Sequence, residues 1–294
     1  MPTSAFVALG ANDYQASELT RGPWHPDHQH AGPPIALVCR AIESAALAQG
    51  LTHVARLTTN LLRPVPIGRL TVEVTTEYAG RNVGHYSARL IAGDKEVARF
   101  TALMQSEVDV PLPAALHGAP ARAMPALSPD ASPTDTADRL TDAPGAAPPA
   151  LPLGPDESPP AAFPFAGRRV GYADLVETRI ARGRFFRGPC AAWFRLRYPL
   201  VEGEVPSVYQ RVAVAADSGN GISAILDFAQ YSFVNSDLTI NLLRRPRGEW
   251  ICLDARTHLG PSGCGLAVSN LFDTDGRVGV AAQSLVVRLR PGAS

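Results

Sequence analysis

SVYQRVAVAADSGNGISAILDFAQYSFVNSDLTINLLRR, residues 207–245, is the stretch on which the reading of the fold turns. It reads as a strand from Ser207 whose small and apolar residues stop at Asp217. A Ser-Gly-Asn-Gly turn follows, then a short apolar helix carrying Ile222, Ile225, Leu226 and Phe228. After Asn235 a second strand begins and closes on Arg244 and Arg245. The predicted helix has almost no polar face, so a sheet must wrap it.

The same signals occur once before. Leu57-Thr58-Thr59-Asn60-Leu61-Leu62-Arg63 nearly repeats Leu238-Thr239-Ile240-Asn241-Leu242-Leu243-Arg244. His30-Ala31-Gly32-Pro33-Pro34 and an apolar run to Ala48 precede the first copy, as Asp217-Ser218-Gly219 and its apolar run precede the second. Downstream, Tyr78-Ala79-Gly80 answers His258-Leu259-Gly260, and Gly93-Asp94-Lys95 answers the turn at 273–276. One order of signals found twice indicates a duplicated unit. In this alignment His30 stands opposite Asp217, and Ala102 opposite Gln283.

Around these copies the remaining elements fall into place. Strands are predicted at 5–10 and 14–21. A helix opens at Pro33-Pro34, where proline gives up only hydrogen bonds that are orphaned anyway. It keeps Ile35, Val38, Ile42 and Ala45 in helical spacing and stops at Gly50. Strands follow at 55–63, 69–78, 85–92 and 96–106, and in the second half at 176–180, 190–198, 250–257, 265–272 and 278–290. Between about Asp109 and Pro164 proline and alanine dominate and no period survives, which predicts a linker without enough apolar burial to order it. The expected organisation is a first domain at 1–108, a linker at 109–165 and a second domain at 166–294. The fold class is α+β, with an antiparallel sheet wrapped around a central helix in each repeat.

Composition narrows the function. The chain has 294 residues, 46% of them apolar and 18% charged, with 27 basic and 27 acidic side chains. Balanced charge gives no reason to expect a nucleic-acid or anionic-membrane partner. No apolar run is long enough to predict a leader or a membrane span, so a cytoplasmic protein is expected. Cys39, Cys190, Cys252 and Cys264 lack paired spacing and read as reduced, buried structural thiols. His25, Asp27, His28 and His30 could in principle hold a metal, but a proline-containing loop gives them no fixed face. A polar loop leading into the helix is the preferred reading, and no metal or bound cofactor is expected. Arg195 and Arg197 alternate onto one strand face and read as sheet surface rather than a phosphate site. The loop 260–265 lacks the lysine and the following helix of a phosphate cradle, and reads as a turn between strands.

No nucleophile elbow, zinc-protease helix or dinucleotide fingerprint is present. What remains is a set of short motifs in a fixed order. Val214-Ala215-Ala216-Asp217 leads into the predicted helix, Asn235-Ser236-Asp237 precedes the long strand, and Ala281-Ala282-Gln283-Ser284 sits in the last strand. With Leu-Leu-Arg-Pro at 61–64, these resemble the acyl-CoA thioesterase II type of double hot-dog protein, over both halves but not the middle. The family has a hydroxyl residue where Asn235 stands. The resemblance implies two hot-dog repeats, an acyl-CoA substrate, a sheet able to pair copies into a homo-oligomer, and catalysis by Asp217, Asn235 and Gln283.

The chemistry is consistent with that set. A carboxylate at Asp217 could take a proton from water, while amides at Asn235 and Gln283 orient that water. Backbone N–H groups at Ser218, Gly219, Asn220 and Gly221, read as a helix start, would face the developing oxyanion. The structural alternative is that Asp217 caps a helix and the amides satisfy strand ends. An inert acyl-CoA-binding protein is the rival function. An enoyl-thioester hydratase or dehydratase ranks third, because it needs an Asp–His pair and no histidine closely follows Asp217. With no carboxylate at its helix start and no amide in its last strand, the first half is expected to shape the acyl tunnel. On that reading His30→Ala would change turnover little.

Overall fold

The computed structural model describes residues 2–111, 152–167 and 169–290. The first half runs β1 (Phe6–Ala8), β2 (Asp13–Ala16), α1 (Gly32–Leu47), β3 (His53–Leu61), β4 (Arg69–Ala79), β5 (Val83–Ala92) and β6 (Lys95–Gln105). The second runs β7 (Pro160–Ala161), α2 (Tyr172–Leu175), β8 (Val176–Arg182), β9 (Cys190–Leu196), α3 (Val208–Ala216) and α4 (Gly219–Ile222). It then continues with β10 (Tyr231–Asn235), β11 (Asp237–Leu242), β12 (Ile251–Leu259), β13 (Cys264–Asp273) and β14 (Gly276–Leu289).

These strands join one antiparallel sheet in the order β1-β2-β4-β5-β6-β3-β11-β14-β13-β12-β9-β8-β7, with β10 added on β14. Outward from its middle, the order β3-β6-β5-β4 on one side is matched by β11-β14-β13-β12 on the other. The two near-identical heptapeptides lie on the central strands. Thr58 pairs with Thr239, its own counterpart in the repeat, and Thr239 Oγ1 donates to Thr58 Oγ1 at 3.3 Å. The register of these two central strands is therefore symmetric about the threonine pair.

Helix α1 forms where proline opens it and Ile35, Val38 and Ile42 recur on a buried face. In the second half the helix is not where the sequence predicts it. The stretch 208–216, read as a strand, is helical, and 222–228, read as the helix, contains only the last residue of the single turn α4. Two features decide this. Ser207 is an N-cap whose side chain accepts from the Gln210 N–H, and buried Tyr209, Val212, Ala213 and Ala216 follow helical spacing. The many valines and alanines imitate a strand, but the capping serine starts a helix that is buried on nearly every side.

Helices α1 and α3 pack directly on each other. Glu43 of α1 accepts from Ser207 Oγ (2.8 Å) and Gln210 Nε2 (3.2 Å) at the start of α3. At the other end a Cβ on Gly32 would lie 2.5 Å from the Val214 carbonyl oxygen. Glycine is what lets the N-terminus of α1 touch the C-terminus of α3.

Most of the stretch expected as a linker, 112–151, lies outside the described residues. Its end does not: Trp193 Nε1 donates to the Leu153 carbonyl at 2.6 Å, β7 pairs with β8, and Phe163 is buried. Phe163 and Phe165, stacked at 5.0 Å, supply apolar burial that the Pro/Ala composition lacks. Among the described residues no helix is long and apolar enough to cross a membrane.

The central sheet leaves little room between β11 and β14. A Cβ on Gly279 would lie 2.1 Å from the Asn241 carbonyl oxygen. Gly279→Ala should therefore push these strands apart and cost about 2–3 kcal/mol. Urea unfolding should show a lower midpoint; an unchanged midpoint would mean that the sheet yields freely there.

Candidate active site

Asp217 ends α3, at the point where the small residues Ser218, Gly219 and Gly221 weaken the helix and the chain turns into α4. Its side chain is 5% exposed. A buried carboxylate needs donors around it, and four elements supply them. Asn235, the last residue of β10, donates from Nδ2 to Oδ1 at 2.9 Å. Gln283 of β14 donates from Nε2 to Oδ1 at 3.3 Å and to the Asp217 carbonyl at 3.2 Å. His30, just ahead of α1, places Nδ1 3.0 Å from Oδ2. The Gly32 backbone N–H, at the positive end of α1, also reaches the carboxylate.

Burial raises the Asp217 pKa, but the His30 charge, the hydrogen bonds from His30 and Asn235, and the Gly32 N–H outweigh it. The carboxyl is held below its usual range. Gly32 N lies 3.2 Å from His30 Nδ1 in a direction that would make this nitrogen an acceptor. A carboxylate at 3.0 Å is incompatible with a bare lone pair there, so the proton sits on Nδ1.

The histidine is fixed from a second side. Its ring stacks on Tyr172 with centroids 3.7 Å apart and planes 3° from parallel. Tyr172 is in turn anchored: its hydroxyl donates to the Val214 carbonyl (2.9 Å) and lies 2.8 Å from Ser218 Oγ. Burial pushes that hydroxyl far up, so it stays protonated. Gln283 Oε1 accepts the Asn220 N–H at 2.8 Å. One glutamine thus clamps the corner between α3 and α4 and orients Asp217 at the same time.

The three side chains expected to act together, Asp217, Asn235 and Gln283, are in contact. The N–H groups expected to receive an oxyanion are placed less simply. Ser218 N–H goes to the Ala215 carbonyl at 2.9 Å and Asn220 N–H to Gln283, so neither faces a substrate. The misplaced helix explains this, because Asp217 follows the main helix rather than leading into it. Gly221 lines the adjoining cavity, and a Cβ there would meet nothing within 4 Å.

The site also holds two residues that the sequence does not point to, His30 and Tyr172. In the repeat alignment His30 is the counterpart of Asp217, in a half expected to lack chemistry. No spacing signal joins residues from opposite ends of two packed helices. The neighbouring histidines do less: His25 and His28 stack on each other at 4.3 Å, and the described residues contain no group of three or more metal-ligating side chains. Arg195 lies on the surface, paired with Glu177 at 2.6 Å and over the Trp250 ring at 4.7 Å. Cys39, Cys190 and Cys252 are buried and Cys264 is exposed.

A cavity of about 720 Å³ opens beside Asp217, His30 and Asn235 and is lined by both halves of the chain. Its walls include Trp24, Leu61, Val65, Phe163, Phe165, Phe186, Phe228 and Val234, with Arg63 and Arg290 among the lining cations. It is within the size range of small-molecule sites.

Comparison with known proteins gives the family and the fold. The acyl-CoA thioesterase N-terminal domain matches residues 20–105, and the acyl-CoA thioesterase C-terminal domain matches residues 155–287. Among solved structures, a protein of Thermobifida fusca provisionally named thioesterase II aligns with a TM-score of 0.65 at 16% identity, over 98% of this chain and 96% of that one. A conserved protein of unknown function with a hot-dog fold from Alicyclobacillus acidocaldarius aligns with a TM-score of 0.64 at 14% identity, over 99% and 97%. An acyl-CoA thioesterase II from Mycobacterium marinum aligns with a TM-score of 0.58 at 17% identity, over 98% and 96%. No curated protein matches the chain. At these identities the structural likeness establishes a hot-dog fold.

Proposed function

The chain belongs to the acyl-CoA thioesterase family and is a thioester hydrolase, and we propose that it cleaves acyl-CoA at a single site built on Asp217. The observation that carries this is the convergence of Asn235, Gln283 and His30 on one buried carboxylate at the wall of a large apolar cavity. The two halves are read as two hot-dog repeats that meet at the Thr58 and Thr239 pair. On this reading the domains meet in one sheet, and each contributes to the single site. An oligomer would form by pairing of exposed sheet surface.

The roles follow from the donors around the carboxylate. Asp217 already accepts from Asn235, Gln283 and His30, and its pKa is depressed, which makes it a weak base. His30 is the better proton acceptor. Its Nδ1–H points to Asp217, which leaves Nε2 as the free nitrogen and stabilises the imidazolium formed when water gives up its proton. That water attacks the thioester carbonyl carbon, and collapse of the tetrahedral intermediate expels the CoA thiolate, which takes the proton back. Asn235 and Gln283 hold Asp217 in place, and Asn235 also lines the cavity where the water must sit. Gly221 lets the thioester approach the wall closely. Arg63 and Arg290 are tied to backbone through Nη1 and Nε respectively, with further guanidinium donors for the CoA phosphates.

The Asp–His pair whose absence from the sequence argued against an enoyl-thioester hydratase is present in the fold. Family membership keeps hydrolysis first, and one assay separates the two. Purified protein given a panel of saturated acyl-CoAs should release free thiol, measured with a chromogenic disulfide. Crotonyl-CoA should lose its enoyl absorbance no faster than it releases thiol. Hydration without thiol release, or binding without either, would replace hydrolysis by the hydratase or the inert-binder reading.

A further inference from the structure

The walls of the cavity carry information on what acyl group it takes. Ring contacts form an unbroken belt that starts at the reacting centre. His30 stacks on Tyr172, Tyr172 lies 6.1 Å from Phe163, and Phe163 stacks on Phe185 at 5.0 Å. The belt continues from Phe185 to Phe186 at 6.4 Å, from Phe186 to Phe228 at 4.8 Å, and from Phe228 to Trp24 at 5.3 Å. Of these rings His30, Phe163, Phe186, Phe228 and Trp24 line the cavity, and Tyr172 and Phe185 contact the lining rings. Leu61, Val65 and Val234 also line that space.

One member of this belt is held under strain. Phe186 is the one non-glycine among the described residues with positive φ, at 61°. For a bulky side chain that conformation is unfavourable and persists only where the surroundings enforce it. Here Phe186 N–H donates to the Ile222 carbonyl at 3.2 Å and Gly188 N–H to the Ala224 carbonyl at 3.1 Å. These bonds tie the turn to the end of α4 and to the residues just after it. The strain delivers a ring to the cavity where a relaxed turn would not.

We infer that the preferred substrates are thioesters of aryl-bearing acids, such as arylacetyl-CoA, rather than of linear fatty acids. This rests on the hydrolase reading above and adds the shape of the acyl group. Rings lining a broad space offer offset-stacked and edge-to-face partners to a flat aromatic acyl group. A linear chain of equal carbon count gains no such geometry. It also has more rotors to immobilise, and a cavity this wide does not confine it.

The test compares phenylacetyl-CoA with octanoyl-CoA, whose acyl groups have the same number of carbons. The expected kcat/KM ratio favours phenylacetyl-CoA by about tenfold, the discrimination that one or two favourable ring contacts supply. Phe186→Gly relieves the positive φ while removing the ring. It should therefore keep the melting temperature within a few degrees and bring the ratio toward one. A wild-type ratio at or below one, or a ratio unchanged in Phe186→Gly, overturns the inference. If neither thioester is cleaved, the hydrolase reading is what fails. Calorimetric Kd values for the two thioesters on the Asp217→Asn protein then decide the shape question alone. Tighter phenylacetyl-CoA supports the aryl pocket, and equal or tighter octanoyl-CoA refutes it.

Discussion

Asp217→Asn lowers kcat by about 10²–10⁴-fold with the protein still folded. The replacement is nearly isosteric, so the amide oxygen can keep accepting from Asn235 and Gln283 at Oδ1. What changes is the side facing His30. A carboxylate oxygen 3.0 Å from Nδ1 accepts its proton, whereas an amide NH₂ there would meet a donor with a donor. The ring then moves its proton to Nε2, and the nitrogen meant to take a proton from water no longer can. The imidazolium also loses its counter-charge. Melting temperature and circular dichroism should stay close to wild type, and thiol release from the best acyl-CoA is the readout. Because the Asp217 pKa is depressed, the wild-type carboxylate stays ionised through neutral and mildly acidic pH. Protonation of Asp217 itself should therefore not set an acid limb near neutrality. Full activity in Asp217→Asn would remove the carboxylate from the mechanism and leave it as a helix end.

Three side chains of the candidate site, Asp217, Asn235 and Gln283, are singled out in the amino-acid sequence by the family resemblance, and the duplication sharpens the contrast between the halves. Two copies of one heptapeptide fix the register of β3 and β11, and with it the positions of β6 and β14, so Gln283 stands out against Ala102. Asn235 and Asp217 are legible as polar residues where an apolar run breaks. The position of the helix is not legible. Val208, Val212, Val214 and the alanines among them carry a strand-like composition, and the deciding feature is a serine cap. With the helix misplaced, His30 and Asp217 stand as counterparts, when they are neighbours. One lies just ahead of α1, the other at the end of α3, and Gly32 lets those ends meet. A contact between two helix ends so far apart in sequence has no local signature. The same holds for Tyr172, whose role depends on the ring it stacks against.

His30→Ala, which the sequence alone predicts to be nearly silent, should instead cost about 10²-fold or more in kcat. The proposed mechanism reverses the expectation, because on that reading Asp217 acts on water through His30, whose Nδ1 lies 3.0 Å from its carboxylate. Adding imidazole to the variant should restore part of the rate, since the freed volume beside Tyr172 and Asp217 accepts a ring of the same shape. Rescue separates a base from a residue that merely fills space. The variant should also shift acid stability, and the sign follows from Asp217. In wild type the folded carboxyl titrates below its unfolded value, with burial opposing and His30 the largest of the lowering causes. Its stabilising contribution is therefore complete above the unfolded pKa and is lost as pH falls through the folded one. Removing His30 raises the folded pKa toward or above the unfolded value, so His30→Ala should be less stable than wild type at neutral pH and should lose less of its stability on acidification, because this carboxyl no longer takes up a proton on unfolding. A variant with wild-type kcat and a wild-type acid transition would show that His30 neither takes the proton nor holds the carboxylate ionised. Asp217 itself would then have to be the base, working through whatever acceptor capacity its four donors leave it.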